Sequence, residues 1–163
     1  MNAQQLYDHI IKPTHLYMGS NYESKNANFL SLCTAAIESN CGYYIKQVGG
    51  PALGIWQMEP ETFHDIFNNC DAVREDDFGY EISALRTDYE LEDSPLSLIT
   101  SPMYACATAR LKYSMDPMPL PDHNDIGAVY NYYKRIYNTP LGASTFEKFK
   151  SALASNHIMD VEL

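Results

Sequence analysis

A chain of 163 residues, 45 % of them hydrophobic, can bury one core without a second domain, so a single unit over residues 1–163 is expected. A formal charge of −10 without clustered Lys and Arg excludes a protein that holds nucleic acid through its phosphates, and no run of eighteen apolar residues is present to span a membrane. The first residues, Met1-Asn2-Ala3-Gln4-Gln5-Leu6-Tyr7, lack the basic and apolar regions of a secretion signal, so no signal peptide is expected.

Residues 2–18 carry a loose helical stripe of Leu6, His9, Ile10, Leu16 and Tyr17, with Pro13 marking a break or a new first turn. Gly19-Ser20-Asn21 is turn material, after which Asn26 or Asn28 is expected to cap the next helix. In that helix Phe29, Leu30, Leu32, Cys33, Ala36 and Ile37 recur at helical spacing, which makes Glu38 its last or nearly last residue, closed by Gly42. A carboxyl at the negative end of a helix, among apolar neighbours, is penalised in its charged form and tends to keep its proton. A general acid that protonates a leaving sugar oxygen needs that property.

From Tyr43 to Pro51 the chain is strand-like and then glycine-rich, an extended loop or a small β-hairpin. Pro60 is well placed to begin a helix with Phe63, Ile66 and Phe67 on its buried face. The acidic segment Asp71 to Asp93, with Glu75-Asp76-Asp77 and Glu90-Leu91-Glu92-Asp93, has helical stretches whose charge runs read as solvated faces. Residues 98–114 return to a core-type helix, and Pro117, Pro119 and Pro121 then enforce an extended connection. Asp125 can cap a tyrosine-rich helix from Ile126 to Tyr137, and Ser144 or Thr145 starts the last one, with Phe146, Phe149 and Leu153 as its apolar positions. The expected fold class is mostly α.

Cys33, Cys41, Cys70 and Cys106 are too dispersed for a zinc pattern and read as buried thiols, a Cys33–Cys41 bridge being the alternative. His9, His15, His64, His123 and His157 show no ligand spacing, so no metal site is expected. No Gly-x-Ser-x-Gly elbow or phosphate loop is present.

Three blocks remain, in order: Glu38-Ser39, then Gly54-Ile55-Trp56-Gln57-Met58-Glu59-Pro60-Glu61-Thr62, then Tyr137-Asn138 near the end of a late helix. Together they resemble the Glu-Ser, Gly-Leu-Met-Gln-(Leu/Ile)-Met-Pro-x-Thr and Ala-Tyr-Asn-Ala-Gly blocks of the soluble lytic transglycosylase and goose-type lysozyme family. The middle block is the specific one, and the likeness covers residues 27–142. It looks most like divergent phage-encoded members, in which the domain travels in the virion and opens the wall for genome delivery.

The resemblance implies a lysozyme-like fold, no cofactor, peptidoglycan as substrate and other virion proteins as partners. It implies that Glu38 cleaves the β-1,4 bond between N-acetylmuramic acid and N-acetylglucosamine as a general acid, either by hydrolysis or with a 1,6-anhydro product. Ser39 would orient that neighbourhood, Gly54 would let the turn approach the sugar, and Gln57 would contact it. Trp56 stands where the family has methionine and is read as a sugar platform or as core. Tyr137 would face Glu38, with Asn138 holding the helix end. Tyr130-Asn131 fits the third block almost as well, and Tyr137 is preferred because a turn signal follows it. A retaining glycosidase needs a second carboxyl about 5–5.5 Å away and an inverting one about 6.5–9.5 Å. Glu59, Glu61, Asp65 and Asp125 show no such placement in sequence, Glu59 and Glu61 reading as stabilisers of a helix start.

Two other classes fit the same residues. One is a catalytically inactive, lysozyme-like structural virion protein or glycan-binding module, favoured by the negative charge and the altered third block. The other is an enzyme on another polysaccharide, such as chitin, that uses the same acid.

Overall fold

The computed structural model describes residues 1–74, 77–87, 94–138 and 142–163, and in them the chain is mostly helical. Glu75-Asp76, Glu90-Leu91-Glu92-Asp93 and Thr139-Pro140-Leu141 lie outside the described residues. Two helices form the centre. α3 (Lys25–Ser39) is buried on nearly every face from Ala27 to Ala36, and α8 (Pro102–Ser114) is buried through Tyr104–Leu111. A helix apolar on one stripe would sit at a surface; one buried all round is surrounded by others. Small residues, Ala35 and Ala36 on α3 and Ala105, Ala107 and Ala109 on α8, let neighbouring helices come close.

On one side α1 (Ala3–Leu6), a π-helical stretch (Tyr7–Ile11) and α2 (Lys12–Met18) run end to end, and they pack on α3 and α8. Pro13 falls in the first turn of α2, where its missing N–H costs least. A buried polar chain joins this arm to α3: His15 Nδ1 meets Asn28 Oδ1 at 2.7 Å, Ser31 Oγ meets His15 Nε2 at 3.2 Å, and Asn28 Nδ2 donates to Glu23 at 3.1 Å. Asn28 is thereby committed to the core. The cap of α3 is Ser24, whose side chain accepts from Ala27 N–H, and not Asn26 or Asn28 as the sequence suggested.

α4 (Pro60–Asn69) begins at its proline, and α5 (Asp71–Arg74) and α6 (Phe78–Ser83) are the short helices of the acidic region. The expected helix over 98–114 is divided into α7 (Ser97–Thr100) and α8, because Pro102 cannot continue the ladder from α7. α9 (Ile126–Tyr133) is capped by Asp125, which accepts from Ala128 N–H, and it continues into a π-helical stretch (Lys134–Asn138). α10 (Phe146–Ser155), capped by Thr145, packs on α3 and α9. Of the extended loop or small β-hairpin expected between Tyr43 and Pro51, the structure has a loop, with two isolated antiparallel bridges, Lys46 with Leu53 and Leu53 with Met58. All four cysteines are buried and free, so Cys33 and Cys41 are not bridged. Among the described residues no helix is long and apolar enough to cross a membrane.

Candidate active site

Glu38 is the penultimate residue of α3, and the chain turns sharply behind it. Asn40, Cys41 and Gly42 take φ of 55°, 53° and 79°, and the Cys41 N–H closes the helix on Ala35 O at 3.0 Å. Ser39 Oγ donates to Ala35 O and accepts from Gly42 N–H at 2.8 Å, so this side chain holds the turn. At 1 % exposed it lies beneath the turn and acts on it, out of reach of a substrate.

The loop that faces this turn is closed by mutual Leu53 and Met58 backbone bonds of 2.9 Å. Gly54 has φ +75°, and a Cβ there would lie 2.4 Å from the Leu98 carbonyl oxygen. Its freedom serves packing against α7, not the approach of a sugar. Trp56 is 1 % exposed and donates its indole N–H to Ser31 O at 3.0 Å. It is core, an anchor that ties the loop to the middle of α3, and offers no face for stacking. Gln57, at φ +45°, reaches the cavity together with Met58. Its amide nitrogen is committed to Gly54 O (2.7 Å) and Tyr44 O (3.3 Å), which leaves its carbonyl oxygen for a ligand.

The opposite wall comes from α9 and its π-helical extension. Tyr133, not Tyr137 or Tyr130, donates its hydroxyl to Glu38 Oε1 at 2.6 Å. Tyr137 lines the same cavity, but its hydroxyl donates to Trp56 O at 2.8 Å, so it bonds the loop rather than the carboxyl. Tyr130 turns away, donating to Ser144 O and packing against Phe146 and Phe149. The π stretch explains the shift: its wider turn carries Asn138, five residues beyond Tyr133, back to the side that faces Glu38. Lys134 fixes the Asn138 amide by donating to its Oδ1 at 2.8 Å while also holding Gly142 O at 2.6 Å. With its oxygen so engaged, Asn138 presents its NH₂ group to the carboxyl.

These walls enclose an open cavity of about 480 Å³ with half-buried Glu38 at its side. Burial pushes the Glu38 carboxyl above the ordinary carboxylate range, the hydrogen bonds from Tyr133 and Asn138 pull it back, and the nearby charge of Glu59 adds to the rise. Glu59 is the other carboxylate of this lining among the described residues. It sits at the cap position of α4 and makes no side-chain capping bond. Lys112 and Lys148 also line the cavity, so the site is far less acidic than the chain as a whole. No group of three His, Cys, Asp or Glu among the described residues could hold a metal ion. The arrangement can hold a proton on one carboxyl and present it to a ligand oxygen beside polar groups.

Sequence reasoning missed Tyr133, Glu59, Lys112 and Lys148. Only Glu59 carried a signal, as one of the two carboxylates inside the middle block. Compared with known proteins, the chain matches no family model, no curated protein and no solved structure.

Proposed function

We propose that this protein is a glycosidase of lysozyme-like fold that cuts the β-1,4 bond of peptidoglycan, with Glu38 as the general acid. The reading is carried by one observation: a carboxyl with its proton affinity raised by burial, held at 2.6 Å by Tyr133, opens into a cavity large enough for sugar units. The ordered Glu-Ser, Gly-x-x-Gln and Tyr-Asn blocks add the substrate class, since all three converge on that cavity through Glu38, Gln57 and Asn138.

In the reaction Glu38 gives its proton to the glycosidic oxygen while positive charge develops on the ring carbon. Tyr133 and Asn138 then stabilise the carboxylate that remains. Glu59, at the cavity wall, is the group able to receive the proton of an attacking water. Lysines on the rim reduce repulsion between an acidic protein and an anionic wall, and association with other virion proteins would supply delivery.

The test is release of soluble muropeptides from purified peptidoglycan by wild type and Glu38→Gln. Loss of release with an unchanged circular dichroism spectrum is expected. Equal release by the variant removes Glu38 as the acid. Wall binding without release by either protein would favour the non-catalytic binding module, and product mass separates a reducing end from a 1,6-anhydro end.

A further inference from the structure

Beyond α9 the chain returns to the cavity wall through Gly142, Ala143 and Ser144, and side chains hold this segment. Its three successive carbonyls accept from α9, from the π-helical extension and from α10: Gly142 O from Lys134 Nζ at 2.6 Å, Ala143 O from Lys148 Nζ at 3.1 Å, and Ser144 O from the Tyr130 hydroxyl at 3.2 Å. Gly142 lies so close to Asn138 that a Cβ on it would stand 2.2 Å from both the backbone and the side-chain oxygen of that residue.

Asn138 Oδ1 is the junction between this wall and the acid. It accepts from Lys134 Nζ at 2.8 Å and from the Ser144 N–H at 3.4 Å, which occupies both lone pairs and leaves the NH₂ group for Glu38. Reversing the amide would set NH₂ against two donors, one of them an ammonium whose hydrogen bond is about twice as strong as a neutral one. Lys134 is half-buried, and among the described residues its ammonium bonds two neutral oxygens and no carboxylate. A neutral donor would suffice to pin Gly142; a charged one makes the orientation of Asn138 firm.

We propose that Lys134 is a positioning residue for Glu38: through Asn138 it fixes which end of an amide meets the carboxyl, and so sets how far into alkaline pH the acid keeps its proton. Without Lys134 the amide is free to turn, and its oxygen can accept from protonated Glu38 where its NH₂ served the charged form. The charged form loses a donor and the neutral form gains an acceptor, so the proton is held more tightly. The other groups acting on this carboxyl are Tyr133 and Tyr137 on α9 and its extension, Tyr113 on α8 and Glu59 before α4, while Lys112 on α8 and Lys148 on α10 line the cavity. Burial raises the three phenols above their ordinary range, so they stay neutral while Glu38 titrates. The consequence for turnover rests on the glycosidase reading of Glu38; the positioning of its proton does not.

The Glu38 carboxyl is titrated by carbon NMR in wild type, Lys134→Met, Asn138→Leu and the double variant, with Glu38→Gln giving the assignment and a melting curve recorded for each. Lys134→Met and Asn138→Leu are each expected to move the titration upward by about one pH unit, the worth of a hydrogen bond to a charged group. The double variant should move no further than Asn138→Leu alone, because both changes act through one amide. An unmoved titration in Lys134→Met would overturn the proposal. So would a lysine effect that persists undiminished once Asn138 is leucine, since Lys134 would then act through its own charge. Wild type carries a further check should a variant not fold: the side-chain amide signals of Asn138 are expected to follow the Glu38 titration, and signals indifferent to it would overturn the contact. In wall digestion the alkaline limb of the pH–rate profile should move with the titration in Lys134→Met. A moved titration without muropeptide release by wild type would remove the glycosidase reading and leave the positioning role standing.

Discussion

Trp56 separates two accounts of the loop beside Glu38, because a core anchor and a sugar platform respond differently to Trp56→Phe. The indole is 1 % exposed and its N–H bonds Ser31 O at 3.0 Å, so the change removes that bond and leaves a void where the far, six-membered part of the indole was. Loss of a neutral hydrogen bond costs about 1 kcal/mol. The ring truncation adds about 1–2 kcal/mol, less than full removal of a large aromatic because phenyl still fills most of the space. The sum is about 2–3 kcal/mol, and a domain of this length loses about 2–4 °C of melting temperature per kcal/mol. A fall of roughly 5–10 °C is therefore expected in calorimetry, with a matching shift of the urea midpoint. The concentration of glycan strand needed for half-maximal rate should stay within about twofold at a temperature where the variant is folded, since no sugar touches a buried ring. An unchanged melting temperature combined with a large loss of strand affinity would refute the reasoning and return Trp56 to the cavity.

Three further outcomes follow from the same contacts. Burial raises the Glu38 proton affinity in the fold, so the group contributes stability that is full below its unfolded value of 4.5 and is lost as pH climbs through the raised folded value. Glu38→Gln should therefore melt higher than wild type near pH 8, and this advantage should shrink by pH 4; an advantage that does not shrink would show that the carboxyl is not ionising in place. His15 goes the other way. Burial lowers it from 6.5 to about 4, its bond to Asn28 opposing and the charge of Arg110 assisting. Its stabilising effect is thus intact above pH 6.5 and lost as pH falls toward 4, about 3 kcal/mol in total. Comparing urea unfolding of wild type and His15→Gln at pH 7.5 and 4 isolates it, and a pH-independent difference would refute it. Gly54→Ala forces a side chain into a φ of +75° with its Cβ 2.4 Å from Leu98 O, so a loss of roughly 3 kcal/mol is expected in the same assay, against less than 1 kcal/mol if the loop relaxes freely.

What could be read from the residues was what local chemistry decides. Apolar spacing and a glycine place Glu38 at a helix end; Pro60 and Asp125 announce the starts of α4 and α9, and all three stand as expected. What could not be read depends on partners distant in the chain. Asn28 has the chemistry of a cap but is drawn into the core by His15, which leaves Ser24 to cap α3. Trp56 lies in a loop, where no period tells inside from outside, and only Ser31 on α3 settles its direction. The tyrosines were the hardest case. Counting in steps of an α-helix gives no reason to choose Tyr133 over Tyr130 or Tyr137, and the π stretch beyond it has no local signature in Lys134-Arg135-Ile136-Tyr137-Asn138.

That stretch has a consequence for how the chain tolerates change. A π turn is an α-helix holding one surplus residue, so removing one position between Lys134 and Asn138 would relax it to ordinary helical pitch. The shorter chain would fold with a more regular helix, and Asn138, then four residues beyond Tyr133, would still fall on the side of the helix that faces Glu38. Lys134 precedes the cut and would keep Asn138 within one turn of it. The π turn thus absorbs a surplus residue without turning either end of the helix away from the site, so a change of one residue in length at this point is gentle on the fold and on the carboxyl's partners alike.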